Sequence, residues 1–228
     1  MASLVAMCVG AGISMVSAEP DLLPAPPLVA QAPAVSRWTI TVQQKIPPPP
    51  QSTDPLKARS EANAAMQNPR MQHEDVEKAG EILHQETDWE NGAKDELWFI
   101  HDFILQHPRN TPADRVYGAW ATDKFAPRRP KDDFPELDWI DAKAYSGRTT
   151  YNGTACYLYK IADPNGNTTS AWIDFKTRLP VAVDTSTTLS IYTFSAGDAS
   201  IAPQGIFVER YKLMLKEKEM HDHPTIPL

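Results

Sequence analysis

The sequence predicts a mainly β fold of the α+β class, an antiparallel meander with a few helices, one of them C-terminal. Three observations carry that prediction. Apolar and polar residues alternate over many short runs, the period of a half-buried strand. The runs are parted by Asn91-Gly92, Asn152-Gly153 and Asp163-Pro164-Asn165-Gly166, which reverse a chain at little cost. The stretch GIFVERYKLMLKEKEM, 205 to 220, instead spaces Phe207, Tyr211 and Met214 at helical intervals with charges between them, as an amphipathic helix against a sheet would.

The first eighteen residues stand apart from this pattern. MASLVAMCVGAGISMVSA has no charge and ends in small side chains, as a secretory signal cleaved after Ala18 would. Its n-region lacks the usual basic residue, the first in the chain being Arg37, which places the true start codon upstream. A stable transmembrane anchor is not expected, because a span needs about 20 apolar residues. Met7 before Cys8 is too large for a lipidation motif. Cleavage leaves Cys156 as the sole thiol, so no intrachain disulfide forms and the residue is expected to pack as a small buried hydrophobe. The predicted location is secreted or periplasmic.

Residues 19–35 form a Pro/Ala-rich linker, and 36–228 a single β-rich domain. Nine of the 21 prolines lie between 20 and 50, where extended polyproline conformations make a spacer. Within the domain, 46–70 is a Pro-rich and helical insertion, with a helix expected over 54–67 behind the Asp54-Pro55 start. Trp38, Ile40 and Val42 alternate with polar neighbours in a strand expected to dock onto the later sheet. Two long strands are expected at about 77–89 and 95–106, joined through Asn91-Gly92. Residues 107–136 read as a long Pro-rich loop with one short helix at about 111–121, the kind of excursion that binds or covers something. From Asp138 three strands follow around Asn152-Gly153 and Asp163–Gly166. In WIDFKTRLPVAVD, Pro180 lacks an N–H, so the chain is read as turning at Thr177-Arg178 and restarting at Pro180. TLSIYTF, 188 to 194, supplies another strand.

The corner WIDFKTRLPVAVD, the hairpin YSGRTTYNGTAC at 145–156, the strand TLSIYTF and a terminal helix behind a signal peptide together resemble the LolA-type half-barrel of bacterial envelope proteins, over about 76–215. The resemblance implies a curled antiparallel sheet enclosing an apolar concavity. In the carriers of that family the cargo is a lipidated protein, so a lipid or lipidated protein is the implied ligand. The long insertion at 107–136 and the Pro-rich arm depart from the compact carrier.

The net charge of −7 argues against nucleic acid, whose binding is driven by Lys and Arg. No motif of an enzyme is present. His84, His101 and Asp102 lack an attendant nucleophile, and His221-Asp222-His223 reads as a solvated tail rather than a metal site. Asp174 with Asp138 or Asp141 could form a carboxylate pair only at a separation the sequence does not fix. No metal and no cofactor are expected. The aromatic residues exceed what a small core requires. Trp98, Tyr157, Tyr159, Phe175, Tyr192 and Phe194 are therefore the candidate lining of a groove for an apolar ligand. The expected function is non-enzymatic binding of an acyl or lipid-like ligand. The alternatives are an envelope assembly module, using 107–136 and the arm against a protein partner, and thirdly a secreted hydrolase.

Overall fold

The computed structural model describes residues 23–45, 53–60 and 69–222. The signal segment, Cys8 and His223 lie outside them, as does half of the expected 54–67 helix, whose described part is helical over 55–60.

The structure is one curled, unclosed antiparallel sheet with a C-terminal helix, as the sequence predicts. Its strands are β1 (Val35–Gln44), β2 (Met71–Ala79), β3 (Ile82–Trp89), β4 (Lys94–Ile100), β5 (Phe103–His107), β6 (Tyr117–Trp120), β7 (Tyr145–Tyr151), β8 (Thr154–Ala162), β9 (Thr168–Asp174), β10 (Pro180–Asp184) and β11 (Thr188–Ala196). Their spatial order is β6-β5-β4-β3-β2-β1-β11-β10-β9-β8-β7. The early TITV strand thus sits mid-sheet, pairing with β2 on one side and β11 on the other. One meander runs from β1 out to the β6 edge, and a second returns from the β7 edge to β11. The chain must therefore cross the whole sheet once, between Trp120 and Tyr145.

Several elements differ from expectation for local reasons. The two long strands are four, because the chain reverses again at Gly80-Glu81 and at His101-Asp102. Gly80 has φ of +58°, which costs a residue without Cβ little, and His101 adopts φ of +50°. The helix expected at 111–121 is absent. Residues 117–120 form the edge strand β6 instead, since pairing with β5 outweighs a weak local propensity. Residues 121–144 contain a short 3-10 helix, Pro135–Leu137, that the sequence reading did not foresee.

The corner of the second meander forms as read. Arg178 takes φ of +63°. The Asp174 carboxylate accepts hydrogen bonds from the N–H groups of Lys176 (2.8 Å) and Thr177 (2.6 Å) and from the Thr177 hydroxyl (3.0 Å). Burial pushes Asp174 up, but these donors outweigh it and hold the carboxyl below its ordinary range. β10 then starts at Pro180, with a register shift against β9 before Ala182.

Alternation assigns each strand two faces. The inner face carries the main core, including Trp38, Ile40, Val76, Leu83, Phe99, Ile104, Tyr157, Tyr159, Ala171, Ile173, Val183 and Tyr192. On the outer face a smaller cluster, Trp98, Ile100, Phe103 and Leu105, packs against Phe207 and Met214 of the C-terminal helix (Phe207–Asp222). Burying a large apolar side chain stabilises by about 1.5–3 kcal/mol, so the sheet is held by packing on both faces. Cys156 is a buried free thiol, as expected, and burial raises its pKa.

Candidate functional site

Because the crossing from β6 to β7 has no strand to pair with, it must satisfy itself on the inner face. Phe134, Leu137 and Ala144 from this segment, with Ala32 from the N-terminal arm, are buried in the main core, and Trp139, Ile140, Leu28 and Val29 pack beside them. Phe134 is the central contact. Its ring lies 5.7 Å from Trp38, 6.2 Å from Tyr192 and 5.9 Å from Phe194, in edge-on geometry.

Polar contacts hold the cover in place. Lys78 of β2 points inward between Val76 and the arm, and its ammonium donates to Asp133 at 2.6 Å. Both side chains are nearly buried, so each depends on the other for solvation. Asp133 also accepts from the N–H of Ala32 at 2.9 Å, and Gln31 exchanges hydrogen bonds with the Asp132 carboxylate and the Asp133 N–H. The Tyr192 hydroxyl donates to Glu136 of the 3-10 turn.

Glu74 lies one step along the same face of β2. Burial, with Glu136 close by, pushes its pKa up from 4.5 to about 7. The cover thus meets β2 through the ion pair of Lys78 with Asp133, while Glu136 opposes a charge on Glu74.

Beyond Glu74 the cover ends and the inner face opens into a cavity of about 530 Å³. Its walls are Glu74, Gln85, Thr87, Asp95, Leu97 and Gln106, with Glu96 and residues 107–110 at the margin. The strand register explains the set: Glu74 pairs with Thr87, Thr87 with Asp95, Gln85 with Leu97 and Leu97 with Gln106, so these side chains share one face. Asp95 accepts from the Trp89 indole at 2.9 Å and the Arg109 guanidinium at 3.1 Å, and that guanidinium lies 4.3 Å over the Trp89 ring. Leu97 also packs against the main core, so the cavity is continuous with the apolar inner face.

The six aromatic residues picked from the sequence do not line one groove. Tyr192 and Phe194 surround Phe134. Tyr157, Tyr159 and Phe175 form a second inner-face group with Tyr145, in which Phe175 stacks on Tyr157 at 4.9 Å and remains 37% exposed. The Tyr159 hydroxyl is buried without a hydrogen-bond partner among the described residues, and burial pushes its pKa to about 12. Trp98 belongs elsewhere. It lies on the outer face against Phe207, 6.4 Å between centroids, because it has the opposite parity to Leu97 and Phe99. The residues missed were Trp38, Phe134, Glu74, Gln85 and Gln106. One signal was available: in HEDVEKA, Glu74 and Lys78 share the parity of the apolar Val76, so two charges fall on the face to be buried.

The histidines are separated. His101 lies at the β4–β5 turn, 3.2 Å from Glu81. His84 stacks on Trp98 with centroids 3.9 Å apart, within an outer-face cavity of about 410 Å³. Its Nε2 is 2.9 Å from Glu96 and its Nδ1 4.0 Å from Glu77, so both ring nitrogens face carboxylates. Glu96 is pushed up by burial, but hydrogen bonds from His84 and Trp98 outweigh this and lower its pKa. Asp141 accepts from the N–H groups of Lys143 and Ala144, a turn contact like that of Asp174. Among the described residues no group of three His, Cys, Asp or Glu could hold a metal ion, and no helix is long and apolar enough to cross a membrane.

No protein-family model matches the chain, and no curated protein matches it. Among solved structures the chain is similar to the Mycobacterium tuberculosis lipoprotein LppX, at 10% identity and a TM-score of 0.37, over 75% of this chain and 90% of that one.

Proposed function

We propose that the protein is a non-enzymatic, exported binding protein that takes an apolar, acyl-type ligand on the inner face of its curled sheet. The observation that carries this reading is the construction of the cover. A broad aromatic face is closed by one largely irregular segment, 121–144, inserted mainly through Phe134 and tied down by Lys78 and Asp133. An ordinary two-layer fold closes such a face with a helix or a second sheet. A segment with few regular backbone hydrogen bonds is the part of a structure that opens at least cost. When it lifts, Trp38, Tyr192 and Phe194 become the floor of a groove that already opens at the Leu97 end. The unpartnered Tyr159 hydroxyl fits the same picture, since it leaves one buried polar atom for a ligand to satisfy.

Titration of the purified mature protein with a fluorescent acyl probe tests the proposal. Wild type is expected to raise probe emission. Phe134→Ala, which removes the ring occupying the groove, is expected to bind about ten times more tightly, or about 1.4 kcal/mol. Absence of probe binding by both proteins, with the variant folded by circular dichroism, refutes it.

A further inference from the structure

The inner-face cavity has a lining that selects among head groups, and this inference rests on the binding reading above. We propose that the cavity beside Leu97 holds an uncharged, hydroxyl-rich group, a polyol or glycosyl head, whose attached chain runs onto the apolar inner face.

The argument is an accounting of hydrogen-bonding capacity. Of the charged side chains at the cavity, Asp95 is engaged by the Trp89 indole and by Arg109, and Arg109 lies over the Trp89 ring. Glu96 is engaged by His84 and by the Trp98 indole. The other polar groups facing the space are the amides of Gln85, Gln106 and Asn110 and the hydroxyl of Thr87, all neutral and each both donor and acceptor, with one donor of Gln85 directed at Glu74 at 3.5 Å. Glu74 joins this neutral set at and below neutral pH, where it carries its proton and donates as a hydroxyl would. Hydroxyl groups match such a lining because each also donates and accepts. An anionic head would meet the carboxylates of Asp95 and Glu96, and the guanidinium at the cavity, Arg109, is already paired with Asp95. A cationic head would find Glu74 without charge and the other carboxylates engaged. Leu97 touches both the cavity and the main core, so a chain attached to the head has an apolar path away from it.

The pH response of such a site follows from Glu74, which faces Glu136 from the cover, Tyr192 from β11, and Asp95, Glu96, His107 and Arg109 across the cavity. As Glu74 ionises above neutrality it stops donating, and affinity for a neutral head is expected to fall.

The test uses full-length mature protein and four probes below their micellar concentrations: octyl glucoside, octanoate, octylamine and free glucose, titrated by calorimetry near pH 6. Octyl glucoside is expected to bind at least about tenfold more tightly than octanoate or octylamine, and Gln106→Leu to remove that preference. Measurable binding of glucose alone identifies a free sugar as sufficient, and its absence assigns the site to a head group that needs its chain. Equal binding of all three chain-bearing probes overturns this inference and leaves the proposed function standing, as does tighter binding of either charged probe. No binding of any chain-bearing probe overturns both.

Discussion

Glu74→Gln removes the charge on β2 that burial and Glu136 of the cover oppose. Each pH unit by which a folded-state pKa departs from its ordinary value is worth about 1.4 kcal/mol. Moving Glu74 from 4.5 to about 7 therefore amounts to about 3 kcal/mol. The sign follows from which state binds the proton more tightly. Here the folded state does, so the penalty is absent below 4.5, grows as pH rises, and is complete once the pH exceeds about 7. Glutamine has nearly the same shape, can donate as the protonated acid does, and never ionises. The variant should thus be more stable by under about 1 kcal/mol near pH 5 and by up to about 3 kcal/mol near pH 8. Urea unfolding followed by tryptophan fluorescence measures this. With an m-value of about 2–3 kcal/mol/M, the difference between the two midpoints should open by about 1 M across that range. Reading the difference between proteins cancels the titration of the histidines, which both share. An unchanged midpoint difference from pH 5 to pH 8 refutes the argument that Glu74 is held protonated beneath the cover.

Lys78→Ala leaves Asp133 nearly buried without its cation and is expected to destabilise by about 3 kcal/mol, whereas Lys78→Met combined with Asp133→Leu should recover most of that loss; paired denaturation curves decide it. Gly197→Ala places a Cβ 2.6 Å from the backbone nitrogen of Ser36, which has no flexible end to move, so a loss of about 2–3 kcal/mol and a lowered melting temperature are expected. Trp98→Ala should cost about 3–5 kcal/mol by opening the cluster under the C-terminal helix, yet leave acyl-probe affinity per folded molecule unchanged, because Trp98 lies on the outer face.

Much of the fold was legible because turn chemistry is local. Asn152-Gly153 and the Asp174–Pro180 corner each carry their own instructions: a residue at positive φ, a carboxylate that accepts nearby N–H groups, a proline that cannot continue a ladder. The alternation in TITV and TLSIYTF likewise marks one buried face on each strand, although which strand lies beside β1 is not a local matter. The turns at Gly80-Glu81 and His101-Asp102 were harder. His101 is neither Gly nor Asn, and its positive φ is imposed by the pairing of Ile100 with Phe103. Strand β6 was misread for a related reason, since its four residues become a strand only when β5 offers an edge.

The site was mostly illegible, and the cause is the crossing segment. Aromatic residues on β8 and β11 could be recognised as apolar, but their neighbours are supplied from 121–144, which follows β6 in sequence and reaches the middle of the sheet only because β6 and β7 end up at opposite edges. Phe134 stands in a Pro- and charge-rich stretch, DDFPEL, that reads locally as solvated loop; it is buried because the crossing has nowhere else to go. The same topology explains Glu74. An acidic residue on a half-polar strand is unremarkable until a second acid, Glu136, is laid against it from sixty positions away, and then its protonation becomes a property of whether the cover is closed. The cover and the carboxyl are thereby linked: lifting 121–144 with nothing in its place exposes Glu74 and returns it toward its ordinary pKa. A neutral head group that accepts from the protonated Glu74 favours that form, so its binding near neutral pH should be accompanied by proton uptake and weaken as the pH rises, a coupling that strand alternation alone could not have suggested.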